Sequence, residues 1–141
     1  MSYATVLAGM TERLETLTGL KAVLDYVPTS IQTTPIAYSL LESVDIRQSG
    51  QGLTRETHIL HRIVFAWQNN EGAELELIPY VDSVPAAVRA DPQLGGRLAT
   101  NLAEPNKMGG YAQIVQVEGG WVTIGGTEYR VLDCHSLIIE K

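Results

Sequence analysis

The sequence predicts an α+β fold, a mostly antiparallel sheet built on a long β-hairpin with two helices packed on one face. Three observations carry that expectation. Apolar residues recur every three or four positions near the N-terminus and again beyond residue 70. Two long segments between them, 36–47 and 54–67, alternate in polarity with period two. The final third alternates again and is punctuated by glycine pairs.

The first helix is predicted over 2–18. Tyr3, Val6, Leu7, Met10, Leu14 and Leu17 form its apolar side, Ser2 is placed to cap it, and Gly19 sits where a terminating glycine belongs. Leu20–Val27 is a strand candidate stopped by Pro28, and the segment between Pro28 and Pro35 reads as a loop. In the strand Ile36–Arg47, alternation puts Tyr38, Leu40, Glu42, Val44 and Ile46 on one face and Leu41 and Ser43 on the other. Gln48–Gly52 reads as a turn, and Thr54–Trp67 returns as the partner strand. Both strands exceed the usual five or six residues, so the far end of the hairpin is expected to project beyond its core.

A second helix is predicted over about 70–90, with Leu77, Val81, Val84 and Val88 as its apolar side. Pro79 and Pro85 would each kink it, or a fresh turn could start near Pro85. Residues 91–111 form a long Gly- and Pro-rich connection. Its Leu94, Leu98, Leu102 and Met108 either fold back on the core or cover a neighbour. Asp91 before Pro92 suits a side-chain-capped turn, which Gly95 and Gly96 let reverse. Ala112–Glu118, Trp121–Ile124 and Thr127–Ile139 read as strands, with turns expected at Gly119-Gly120 and Gly125-Gly126.

Composition narrows the function. The chain has 141 residues, the size of one domain, and 45% are apolar. Charged residues make up 18%, below the typical ~25%. Either a partner covers part of the surface, or the surface is polar through Gly, Thr and Ser. Net charge is −6 and the ten basic residues are scattered, which disfavours a grip on nucleic acid. The single cysteine, Cys134, excludes an intrachain disulfide and fits a reducing compartment. No apolar run reaches the ~18 residues of a membrane span, and the N-terminal residues do not read as a signal peptide.

The sequence carries no positive sign of catalysis, a cofactor site or a metal site. His58 and His61 lie three apart in a strand and point to opposite faces, as do the neighbours Cys134 and His135. The glycine pairs are not followed by the Lys-Ser/Thr of a phosphate loop. Asp25, Asp45, Asp82 and Asp91 read as turn and cap residues.

Tyr80–Gly96 (YVDSVPAAVRADPQLGG), LDYVP followed by TTPIAYSLLES, and the closing WVTIGGTEYRVLDCHSLII occur in that order along the chain. Together they resemble the tail terminator (tail completion) proteins of long-tailed bacteriophages, with Asp91, Pro92, Leu94, Gly95 and Gly96 as the fold-marking turn. The resemblance implies a non-enzymatic virion protein without cofactors, the subunit of a ring that is hexameric in that family. Such a ring caps the head-proximal end of the tail tube, ends its growth and docks the neck or head-completion protein, while DNA passes through the pore. It implies the virion tail as location, with assembly in the host cytoplasm. A related neck protein, or a small ligand-binding or enzymatic α+β domain, are the alternatives. Candidate contacts with a neighbouring subunit or the tube are Arg47, Gln48, Ser49, Gln51, Leu53 and Arg55 on the hairpin, and Leu94, Arg97, Leu98, Leu102 and Met108 on the connection. Arg62, Arg89 and Glu118 are further candidates for ion pairs between subunits.

Overall fold

The computed structural model describes residues 2–49, 52–66, 70–98 and 109–141. Helix α1 spans Tyr3–Glu15 and strand β1 Ala22–Val23. Strands β2 and β3 span Ile36–Ser49 and Gly52–Phe65, helix α2 Asn70–Ala90, and strands β4 and β5 Tyr111–Ile124 and Thr127–Glu140. The sheet order is β1-β2-β3-β5-β4. Every pair is antiparallel except β1–β2.

Both helices cover one face, called here the helix face. From α1, Val6, Met10 and Leu14 are buried, and from α2, Ala73, Leu77, Tyr80, Val84 and Val88. They pack on Ile59, Ile63 and Phe65 of β3 and on Leu132, Cys134 and Ile138 of β5. The hydroxyl of Ser2 accepts the Thr5 amide, as its capping position requires. The helix stops three residues short of the expected end, because Thr16 and Leu17 tighten its last turn by bonding back to the carbonyls of Arg13 and Leu14.

Helix α2 runs from Asn70 to Ala90 through both prolines. Its inner side differs from the expected one at a single position. Val81 is 39% exposed, and Tyr80 is buried in its place. Tyr80 stacks at a tilt on Phe65, 5.6 Å between ring centres, and its hydroxyl donates to the Thr18 carbonyl at 2.8 Å.

Three other expectations are corrected. The first strand shrinks to Ala22–Val23, which pairs in parallel with Ile36 and Ala37. The chain from 24 to 35 crosses the far side of the sheet, where Leu24 and Ile31 help cover a second apolar cluster around Tyr38, Val64, Tyr129 and Val131. In β2 a bulge between Leu41 and Ser43 breaks the alternation. Tyr38 and Leu40 pair opposite Arg62 and Leu60 on the open face, whereas Val44 and Ile46 pair opposite Thr57 and Arg55 on the helix face.

The third correction is Gly119-Gly120, which lies inside the continuous strand β4. The only turn of this hairpin is Gly125-Gly126, both at positive φ as a two-residue type I′ turn requires. Gly119 serves Arg130 instead, since a Cβ there would lie 2.7 Å from the guanidinium. That guanidinium stacks 5.2 Å from the Trp121 ring centre, donates to the Gly120 carbonyl and pairs with Glu74 of α2.

The connection after α2 takes the first of the two courses open to it and folds back on the core. Leu94 and Leu98 are 1% and 2% exposed, in the core beneath α1. The turn that puts them there is held by the Gly95 amide donating to the Asp91 carboxylate at 2.7 Å. Leu94 takes φ +54°, followed by Gly95 and Gly96 at +69° and +86°. Its buried side chain offsets the ~1–2 kcal/mol that a left-handed residue costs.

Gly9 is where α1 meets this turn. A Cβ there would lie 2.8 Å from the Cβ of Leu94. Alanine would improve helix propensity by about 1 kcal/mol, but overpacking a fixed contact costs about 1–3 kcal/mol. Gly9→Ala is therefore expected to destabilise the protein in urea unfolding, whereas Ala8→Gly on the exposed side should cost only the propensity difference.

Candidate functional site

Titratable residues concentrate on the sheet, and pleating sorts them between its faces. On the helix face, His61 is fully buried in the middle of β3. Its Nδ1 lies 2.7 Å from the Ser39 hydroxyl of β2, and its Nε2 lies 2.8 Å from the Ser136 hydroxyl of β5. Ser136 donates its own proton to the Ile59 carbonyl. That leaves Nε2–H as donor to Ser136 and Nδ1 as acceptor from Ser39, which is the neutral imidazole. Burial, aided by the charge of His135, lowers its pKa from 6.5 to about 3. A Ser–His–Ser chain is the raw material of nucleophilic catalysis, but His61 and Ser136 have no solvent exposure at which to meet a substrate. Cys134 is equally closed off, and burial pushes its thiol up to about 12.

On the open face His135 is held from both sides. Nδ1 lies 2.8 Å from Glu42 Oε1 and Nε2 lies 2.8 Å from Glu118 Oε1. Partial burial works against its charge, yet the bonds to Glu118 and Glu42 outweigh it and raise the pKa. The Glu42 bulge in β2 allows this reach across β3. Beside it Arg62 forks onto Asp133, with its Nε 2.8 Å from Oδ1, and that bond raises the guanidinium pKa further. The register also sets Asp45 opposite Glu56, with His58 close by. The ligand atoms of these three lie within 4.8 Å of one another. A cation could meet them, but Asp45 is 59% exposed and its 3.6 Å approach to His58 is an ordinary surface ion pair.

A groove of about 740 Å³ runs between the end of α1, α2 and Pro35, lined by Thr16, Lys21, Glu76, Tyr80 and Ser83 among others. Lys21 and Glu76 are both solvent-exposed. The desolvated ionisable group in its lining is Tyr80, whose pKa burial raises and whose hydroxyl is engaged by the Thr18 carbonyl.

The proposed contact residues divide. Gln48, Ser49 and Leu53 lie at the far end of the β2–β3 ladder, where Gln48 pairs with Leu53 and Ser49 with Gly52. Arg47 is exposed there. Gln51, Leu102 and Met108 lie outside the described residues. Leu94 and Leu98 spend their apolar surface inside the chain, as described above. Arg97 clamps Glu12 of α1 through two bonds of 3.1 and 2.8 Å, so its charge is engaged within the chain. The pair lowers the pKa of Glu12. Arg55, Arg62 and Glu118 likewise have partners within the chain, in Glu140, Asp133 and His135. Arg89 is exposed in the last turn of α2. Sequence reading missed the His61 and His135 networks, because each joins strands far apart in sequence. The alternation of β3 and of β5 was the available signal that these histidines occupy defined faces.

No family model and no curated protein matches the chain. Among solved structures it is similar to a chain of a virion of a native gene transfer agent particle. The likeness covers 99% of this chain and 100% of that one, with a TM-score of 0.53 and 15% identity. At that identity the likeness establishes the shared fold.

The two histidines give stability opposite pH dependences. His61 titrates below its unfolded value, so its contribution is full above pH 6.5 and is lost as pH falls toward 3. The loss is about 1.4 kcal/mol per pH unit well below 6.5. His135 titrates above its unfolded value, so its contribution is present at low pH and is lost as pH rises through the folded pKa. Between pH 6.5 and 5, urea unfolding should show wild type losing more stability than His61→Gln, by roughly 1–2 kcal/mol. Glu118→Gln should lower the His135 pKa in an NMR titration without moving His61 into the observable range.

Proposed function

We propose that this protein is a virion structural protein of the tail-terminator type. Residues 1–141 form one domain, and copies of it close into a ring, hexameric by the resemblance. The ring caps the head-proximal end of a phage tail tube, stops tube growth and receives the neck protein. The observation that carries this reading is the end-to-end fold likeness to a chain of a virion particle. The order of the sequence landmarks supports it independently, with the Asp91–Gly96 turn between the second helix and the closing hairpin.

The chemistry agrees. In the most catalytic-looking group, Ser39–His61–Ser136, the imidazole and Ser136 are sealed, and on the open face Glu42, His135, Glu118, Arg62 and Asp133 are tied to one another. A net charge of −6 suits a pore that DNA must traverse without adhering. The protein would reside in the virion after assembly in the host cytoplasm.

Added to purified tail tubes, the protein should bind one end and block further addition of tube subunits, as seen by negative-stain microscopy and light scattering. Co-purification with the portal-side protein and not with the tube would move the assignment to a neck component. Association with neither would overturn it.

A further inference from the structure

His135 stands in the middle of β5 with a carboxylate at each ring nitrogen. Nδ1 lies 2.8 Å from Glu42 Oε1, and Nε2 lies 2.8 Å from Glu118 Oε1. Each of these contacts needs a proton, and a neutral imidazole carries one. The geometry is therefore that of the imidazolium, which donates on both sides. Partial burial works against that charge, but the bonds to Glu118 and Glu42 outweigh it, so the proton is held to higher pH than on an ordinary histidine.

The two carboxylates are held differently. Glu118 belongs to β4, the strand bonded to β5, and follows Gln116, the partner of His135, on the same face. Glu42 belongs to β2 and crosses β3 to reach the ring. It is the bulge residue, passed over by the register between the pairs Leu41–Ile59 and Ser43–His58. Among the described residues, the ladder past Ala37 ties β2 to β3 alone. The bond from Glu42 gives the bulge a second hold, two strands away.

The other ionisable groups around the ring are engaged elsewhere. Arg62 of β3 and Asp133 of β5 bond to each other, with Tyr38 of β2 opposite Arg62. His58 of β3 approaches Asp45, which pairs opposite Glu56. His61 is bonded to Ser39 and Ser136 on the helix face. From the chain between 24 and 35, Leu24 and Ile31 pack around Tyr38 and Tyr129. When His135 loses a proton, one of its two carboxylates therefore loses its donor. Backbone pairing of β4 with β5 keeps Glu118 beside the ring, where it retains Nε2–H. Glu42 is left facing the lone pair of Nδ1, which repels a carboxylate.

We propose that protonated His135 straps the β2 bulge to β5, and that loss of this proton releases Glu42 and loosens β2 from Leu41 to Ser43. The strap is closed at low pH and opens as pH rises through the folded-state titration of His135. It acts on the arm of the hairpin that ends at Arg47, Gln48 and Ser49, and it does not depend on the ring reading above.

An NMR titration of the full chain tests it, with the His135 ring signals giving the midpoint. In wild type the Glu42 side-chain carboxyl and the amides of Leu41, Glu42 and Ser43 should shift with that same midpoint as pH rises. Glu42→Gln should lower the midpoint of His135 and leave amides 41–43 without a transition there. The wild-type titration stands by itself should that variant fail to fold. If the bulge amides ignore the His135 midpoint, or if folded Glu42→Gln leaves that midpoint unmoved, there is no strap. If the Glu118 carboxyl shifts and the Glu42 carboxyl does not, the other carboxylate is the one released and the proposal falls.

Discussion

The imidazole of His61 sits where water does not reach, tied to β2 through Ser39 and to β5 through Ser136. Three strands therefore share one polar fixed point on the helix face. A one-residue slip of β3 would turn His61 to the open face and take its bonds from the buried Ser136 hydroxyl and the half-buried Ser39 hydroxyl. It would also bring Arg62 into the core and away from Asp133. The apolar contacts of Ile59, Ile63 and Phe65 would be content with any register of the same parity. The polar chain is not, and it selects one.

With the register set, the faces of the sheet take different work. The helix face is closed by α1, α2 and the Asp91–Leu98 turn, which Arg97 straps to Glu12. The open face is a grid of paired charges, Glu42–His135–Glu118 and Arg62–Asp133, beside the apolar cap of residues 24–35. Charges satisfied within the chain leave little for a charged substrate or nucleic acid to capture. Apolar surface is left on the outside of α2, on β2 at Leu41 and Ile46, on β4 at Val115 and Trp121, and at Tyr26 and Val27. That division suits a subunit meant to pack beside others better than one meant to hold a small molecule.

Much of this was legible in the residues. Period-two alternation across 36–47 and 54–67 predicted the long hairpin, and it appears with one bulge in its register. The helix over 70–90 was visible despite Pro79 and Pro85, because its buried positions keep their spacing through both. Where the reading failed, the cause was a contact distant in sequence. Gly119-Gly120 resembles Gly125-Gly126 in composition, but one pair clears space for Arg130 and the other makes the turn. Val81 fits the apolar pattern as well as Tyr80 does, and only Phe65 and the Thr18 carbonyl decide which of them turns inward.

Local periodicity, turn chemistry and order along the chain determined the α+β class, the hairpin and the Asp91–Gly96 turn, since each depends on neighbours within a few residues. Tertiary structure alone decided that Leu94 and Leu98 are core, that the β2 bulge sends Ile46 to the helix side, and that His61 and His135 carry opposite protonation preferences. Burial and charge pairing are properties of the assembled sheet. They join residues such as Glu42 and His135, 93 positions apart, whose relation no local pattern encodes.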